Sequence, residues 1–252
     1  MSTAALFERL AARYDELWTD SAIGRAQRNA VWRVTDRLFH AGDRVLDIGC
    51  GTGEDAAHLV ARGVAVHAID ASLAMVARAS ARGVAAQVGK AEDLVGQVGN
   101  LRRVGNPPWP ISNRPQDAIL PYFDGALSNF GALNCVEDLK PIARALGTLV
   151  RPGGHVAICT IGRFCAWEML YYKKAFRRWT GRAGDIRYPT VRQFRADFAA
   201  DFELRYWTGI GMLVPPSYVK LPARIVHILA RLDRLPFLRA CADHRLLVFK
   251  RK

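Results

Sequence analysis

The sequence predicts an α/β protein built from strand–helix–strand units. Three observations carry that expectation. A glycine-rich turn, Gly49 to Gly53, sits directly between an apolar run (Val45, Leu46, Ile48) and a helical pattern opening at Asp55, which reads as the first half of a strand–helix–strand unit. A second short apolar run, residues 64–70, follows that helical stretch. The chain has 252 residues, half of them hydrophobic, enough for one large domain with a sizeable core.

The elements follow in order. Residues 1–18 mix apolar side chains with Glu8, Arg9 and Arg13. They read as an amphipathic helix and not as a signal peptide. No apolar run reaches the roughly 18 residues of a membrane span. The five cysteines at 50, 135, 159, 165 and 241 form no paired motif. That argues against a zinc site or a disulfide framework and fits a reducing cytoplasm.

The glycine turn restricts its ligand. It lacks the Gly-Lys-Ser/Thr of a phosphate-gripping loop. Glu54 occupies the position where a dinucleotide fingerprint needs glycine, and Asp47 closes the strand before it. Acids there disfavour a pyrophosphate and suit a cationic ligand. Asp70, at the tip of the second strand, can accept both hydrogen bonds of a ribose diol.

With Asp47-Ile48-Gly49-Cys50-Gly51-Thr52-Gly53 followed by Asp70 17 residues later, the chain resembles the class I S-adenosylmethionine-dependent methyltransferases. Further segments match in order: 122–134 resembles the fourth-strand motif, 149–158 the turn before the fifth strand, and 244–252 a terminal strand. The resemblance covers nearly the whole chain. It implies a doubly wound, Rossmann-like sheet of seven strands, mostly parallel with one antiparallel strand, plus a helical insertion capping the acceptor. It also implies the domain plan: one methyltransferase domain over 1–252, with an N-terminal helical cap (1–40) and a cofactor-binding core (41–160). A loop of about 96–121 is inserted in that core, then come a helical cap insertion (161–200) and C-terminal strands with a basic helix (201–252).

Carried over residue by residue, the resemblance implies S-adenosylmethionine as cofactor and S-adenosylhomocysteine as product. Asp47, Gly49, Cys50, Gly51 and Gly53 would line the methionine part. Asp70 would hold the ribose, and Ala71 and Met75 would flank adenine. Lys90 stands where the family often has an acid that accepts from the adenine amino group, and lysine accepts no hydrogen bond. Adenine recognition then falls to Ala91, Glu92 or Asp93. Asn129 would lie under the cofactor. Tyr14 resembles an aromatic that closes over it, with packing of the first helix as its other reading. No metal is implied.

Asn106-Pro107-Pro108-Trp109 matches the tetrad of enzymes that methylate base amino groups. That chemistry needs the tetrad at the tip of the fourth strand. The residues before it hold three glycines, an asparagine and two adjacent arginines, a poor central strand, whereas 122–129 reads well as one. The tetrad therefore falls in the inserted loop, structural or as a lid whose Trp109 touches the acceptor.

Charge is uneven. The first 150 residues carry 16 basic and 16 acidic side chains; residues 151–252 carry 20 and 7. An anionic partner is one reading, a coding bias toward arginine the other. Two basic amphipathic stretches lie there. In 164–184 a stripe of Cys165, Met169, Tyr172, Phe176 and Trp179 is flanked by Lys173, Lys174, Arg177 and Arg178. In 221–238 a stripe of Ile225, Ile228, Leu229, Leu232 and Leu235 lies beside Arg224, Arg231 and Arg234. Both are expected to pack on the core; peripheral contact with the inner membrane surface is the second reading.

The expected function is methyl transfer to a small, hydrophobic or lipid-like acceptor, with Trp109, Tyr171, Tyr172 and Tyr218 as candidate contacts. Two other readings stay open: a nucleic-acid methyltransferase using the basic C-terminal surface, and a non-catalytic cofactor-binding protein of the same fold. No His/Asp pair or metal cluster stands out. Asn134 and His244 are the candidates for a catalytic role, while His40, His58, His67 and His227 sit in no evident constellation.

Overall fold

The computed structural model describes residues 3–97, 123–165, 167, 182–183, 185–216, 219, 221–233 and 242–252. Trp109, Tyr171, Tyr172, Tyr218 and the Asn106–Trp109 tetrad lie outside the described residues, as do most of 164–184 and the end of 221–238.

Among the described residues nine strands run β1 Arg44–Ile48, β2 Ala65–Asp70, β3 Ala85–Val88, β4 Phe123–Ser128, β5 Val150–Ile161, β6 Arg182–Ala183, β7 Ile186–Arg187, β8 Phe202–Ile210 and β9 His244–Arg251. Seven form one sheet in the order β3-β2-β1-β4-β5-β9-β8, and β6 pairs with β7 in a separate hairpin. The contacts of β1 with β2 and β4, of β2 with β3, and of β4 with β5 are all parallel. β9 is antiparallel to both β5 and β8, so it alone is reversed. This is the sheet that the sequence predicts.

The helices among the described residues are α1 Thr3–Tyr14, α2 Ala22–Thr35, α3 Glu54–Ala61, α4 Leu73–Ala81, α5 Asp93–Gln97, α6 Leu139–Leu149, α7 Val191–Phe198 and α8 Ala223–Leu232, with a π turn over Asp15–Thr19 and a 3-10 turn over Ala132–Cys135. Side chains start several of them. Ser72 accepts from the Met75 N–H, Asp138 from Lys140, and Thr190 with Gln193 forms a capping box, each meeting backbone donors that the first turn leaves unpaired.

The sheet is buried on both faces, and its strands divide accordingly. Leu46, Ile48, Leu247 and Phe249 face a core with Ile142, Leu146, Phe194 and Phe198. Val45, Leu127 and Leu246 face the opposite core with Val31, Phe39 and Leu59. The alternation along β1 and β9 is the two-residue period of a strand, and both faces are apolar because helices cover both.

One sequence expectation changes. The stripe of α8 does not pack as a unit. Val226 is the buried residue, joined by Leu229 and Ala230 against Ile23 and Ala26 of α2. Ile225, Ile228 and Leu232 are exposed. Helix residues turn by about 100° each, so the contact with α2 takes one side of a broad apolar sector and leaves the other outside.

The strand order reverses between β1 and β4. The chain runs outward through β2 and β3 and returns on the other side of β1. Crevices at such a switch point, beyond the carboxyl ends of the strands, are where open α/β sheets take ligands.

Candidate active site

The glycine turn begins where β1 ends. Gly49 has φ of +73°, and a Cβ there would come within 2.2 Å of the Ala132 side chain. Only glycine fits, because the 3-10 turn after β4 packs directly on the loop. Gly51 also has a positive φ, yet a Cβ there would meet nothing within 4 Å. Its backbone borders open space.

Asp70, at the tip of β2, ties this loop down. Its Oδ2 accepts the Gly51 N–H at 2.9 Å and its Oδ1 the Ser72 N–H at 2.9 Å. Each oxygen retains a second lone pair for a ligand hydroxyl. Burial nevertheless lifts the carboxyl above the ordinary range, outweighing these two bonds.

Asp47 lies beneath the turn, 1% exposed. Its Oδ2 is buried with no hydrogen-bond partner. Burial pushes this carboxyl well up, and the nearby carboxylates of Asp55 and Asp70 push the same way. The Cys50 thiol is raised by burial and by Asp47 and Asp70, which makes it an inert packing residue and not a nucleophile.

A cavity of about 300 Å³ opens beside the turn. Ile48 and Gly49 form one end, Asp70 and Ala71 a side, and residues Gly89 to Glu92 another. The far wall is Ala132, Cys135 and Val136, with Phe7 from α1 and Asp185 from the β6–β7 hairpin. The sequence-predicted Gly49, Asp70, Ala71, Ala91 and Glu92 are thus brought together around one cavity. Cys50, Gly51 and Gly53 adjoin it in the glycine turn. Met75 is buried behind Ser72, whose hydroxyl accepts its N–H at 3.1 Å. Asp93 accepts the Lys90 N–H at 2.7 Å, so part of its carboxylate is used locally.

The N-terminal segment closes over this region. Glu8 of α1 accepts the Ser72 hydroxyl at 2.6 Å and the Ala74 N–H at 3.2 Å. Asp15 accepts the Thr52 hydroxyl at 2.7 Å and pairs with Arg78 and Arg82. Tyr14, held edge-on to Phe7 and tilted on Trp18, has its phenol raised by burial, with Arg28, Asp55 and Asp70 among the charges acting on it.

Behind the turn lies a network that sequence reading missed. Asp55 accepts from Arg28 at 2.5 Å, from the Trp32 indole at 2.7 Å and from the Asn129 amide at 3.0 Å. Asn129 therefore faces Asp55 with its amide nitrogen, while its oxygen takes the Phe130 N–H. Arg28 also lies over the Phe130 ring, 5.1 Å from its centroid. Phe130 has φ of +48°, a costly conformation for a bulky residue.

The two catalytic candidates separate. Asn134 is fully buried. Its nitrogen donates to the carbonyls of Ile161 and Arg187, and its oxygen accepts the Thr160 hydroxyl and the Ile161 N–H. An amide has two donors and two acceptor sites, so these bonds use all of it in clamping β5 to β7. His244 opens β9 opposite Ile161, at the same end of the sheet as Asp70. Its Nδ1 lies 3.2 Å from Asp243, and its ring meets the Phe130 ring edge-on at 5.3 Å. This is the His/Asp pair that no sequence pattern had disclosed. His58 is also placed: it binds Asp36 at 2.8 Å and stacks on Trp32 at 3.8 Å, a structural arrangement. Among the described residues no group of three or more His, Cys, Asp or Glu could hold a metal.

A family described as a methyltransferase domain matches residues 8–206. The chain belongs to the class I S-adenosylmethionine-dependent methyltransferases. Among its relatives in that family is a demethylmenaquinone methyltransferase of Clavibacter sepedonicus, 32% identical over 164 residues, covering 62% of this chain and 56% of the relative. A ubiquinone biosynthesis O-methyltransferase of Acinetobacter baumannii is 32% identical over 123 residues, covering 49% and 46%. The chain thus spans about half the length of these curated relatives. A methyltransferase structure from Thermotoga maritima shares the fold with a TM-score of 0.61 at 17% identity, covering 98% and 99%.

Proposed function

We propose that this methyltransferase domain carries a methyl group from S-adenosylmethionine to a small, apolar ring acceptor bearing an acidic hydroxyl, with His244 as proton acceptor. The observation that carries the reading is Asp47: a buried carboxylate oxygen without a partner under a glycine turn calls for a cationic ligand. S-adenosylmethionine has an ammonium and a sulfonium and no phosphate.

Asp47, Gly49, Cys50, Gly51 and Gly53 form the methionine cradle, where the open space at Gly51 admits the ligand against the backbone. Asp70, already oriented by two backbone donors, accepts from the ribose hydroxyls. Ala71, Met75, Ala91 and Glu92 surround the adenine, with Asp93 shaping that loop. Phe7 and Tyr14 exclude water from above, and Asn129 acts by fixing Asp55 at the β4 tip. The cofactor supplies an electrophilic methyl group, and its transfer leaves S-adenosylhomocysteine and one acceptor proton to be removed. His244 takes that proton. Asp243, 3.2 Å from Nδ1, favours the imidazolium that results. Deprotonation makes the acceptor oxygen a stronger nucleophile, and in-line positioning does the rest.

The demethylmenaquinone named for one relative and the ubiquinone biosynthesis named for another support a ring acceptor. The test is to incubate the purified chain with methyl-labelled S-adenosylmethionine and a lysate of its host. Label in the organic-extractable fraction is the expected result. Label in nucleic acid would favour the basic C-terminal surface as the acceptor site. Cofactor binding with no label in any fraction would mean a non-catalytic member of the family.

A further inference from the structure

α8 has two apolar faces, and among the described residues one is packed and the other exposed. Val226 is 1% exposed, whereas Ile225 is 43%, Ile228 58% and Leu232 47% exposed. At about 100° per residue these three fall within roughly 60° of one another. Arg224 and Arg231 border the strip, and the helix, ARIVHILARL, contains no acidic residue. Asp233, the first carboxylate after it, is turned inward: it accepts the backbone N–H groups of Gly211, Met212 and Leu213 at 2.8 to 3.0 Å. Among the described residues the strip presents hydrocarbon and positive charge with no acid on its own helix. It belongs to the part of the chain where basic side chains outnumber acidic ones by 20 to 7.

The geometry points to α8 as the docking surface for an anionic lipid bilayer. The helix lies in the plane of the interface, with Ile225, Ile228 and Leu232 entering the boundary of the acyl chains. Arg224 and Arg231 reach the headgroup phosphates. α2, packed behind α8, carries the rest of the domain on the aqueous side. The corollary, that the acceptor is a lipid-soluble molecule drawn from the bilayer, rests on the methyl-transfer reading; the docking itself does not.

The full chain is to be sedimented with vesicles of phosphatidylcholine containing one quarter phosphatidylglycerol, and with vesicles of phosphatidylcholine alone. Binding to the anionic vesicles is expected, weakening as salt rises, with little on the neutral ones. Ile228→Glu should abolish it. Arg224→Gln with Arg231→Gln should weaken it by about 30-fold, near fivefold for each charge. Cofactor calorimetry on the same variants should be unchanged, which shows that they are folded and keeps the docking result separate from the methyl-transfer reading. Absence of binding overturns the inference, and so does binding that survives Ile228→Glu. Self-association abolished by Ile228→Glu would assign the strip to a second copy of the chain and overturn it equally.

Discussion

The carboxylate of Asp70 accepts the backbone N–H of Gly51 at 2.9 Å. This bond joins the tip of β2 to the turn after β1 and orients an acid and a bare backbone toward the same space. The proposed cofactor site is assembled on that link.

Asp47 costs the fold stability at neutral pH. Its folded pKa is raised, chiefly by burial, so the folded protein holds a proton over a range starting near the ordinary carboxylate value and extending upward. Stability from this group is therefore full below that range and falls as pH rises through it. Asp47→Asn should raise the melting temperature at pH 7.5, with the gain shrinking toward pH 4, while S-adenosylmethionine affinity drops. Thermal melts across pH check the first part and calorimetry the second. A lower melting temperature for Asp47→Asn at pH 7.5 contradicts this.

Asp55 is the converse case. Its removal leaves Arg28, 9% exposed, as a buried charge without its counter-ion. Asp55→Ala should cost about 3–5 kcal/mol, read by chemical denaturation. A loss below 1 kcal/mol would show that the pair contributes little to the fold.

The Asp55 network also shows where sequence reading stops. The glycine turn, β1, β2 and Asp70 are legible because their signal is local: apolar run, turn residues and strand tip lie within a few residues of one another. Asp55 meets Trp32 and Asn129, 23 and 74 residues away, and nothing in the chain announces a contact set by packing. Phe7 and Asp185 on the cavity wall are hidden for the same reason. The pairing of His244 with Asp243 is adjacent in sequence, but its value depends on β9 being antiparallel, which puts its first residue among the carboxyl ends of the other strands. In α8 the apolar period was legible; which side of it meets α2 was not.

His244→Gln should bind S-adenosylmethionine normally and lose about 100- to 10,000-fold in turnover, the usual contribution of a positioned base. The loss should diminish as pH approaches the acceptor hydroxyl's own pKa, since solvent then removes the proton. Steady-state rates across pH with the acceptor found by labelling test this. A pH profile parallel to that of the native protein would assign His244 a packing role.

The tip of β4, the position that amino-group methylation requires of its tetrad, is Ser128-Asn129-Phe130. Asn106→Ala should leave turnover within about twofold of native, an effect of no more than roughly 0.4 kcal/mol. Loss of turnover with cofactor binding intact would return the tetrad to the active site.

The most direct test of the central claim is calorimetric titration of S-adenosylmethionine into the native chain and into Asp70→Ala. The account predicts one-to-one binding by the native chain and at least a tenfold loss on substitution, since hydrogen bonds to a charged group are worth about 1.5–3 kcal/mol each. Native-like affinity in a folded Asp70→Ala protein would mean that the cofactor does not bind at the tip of β2.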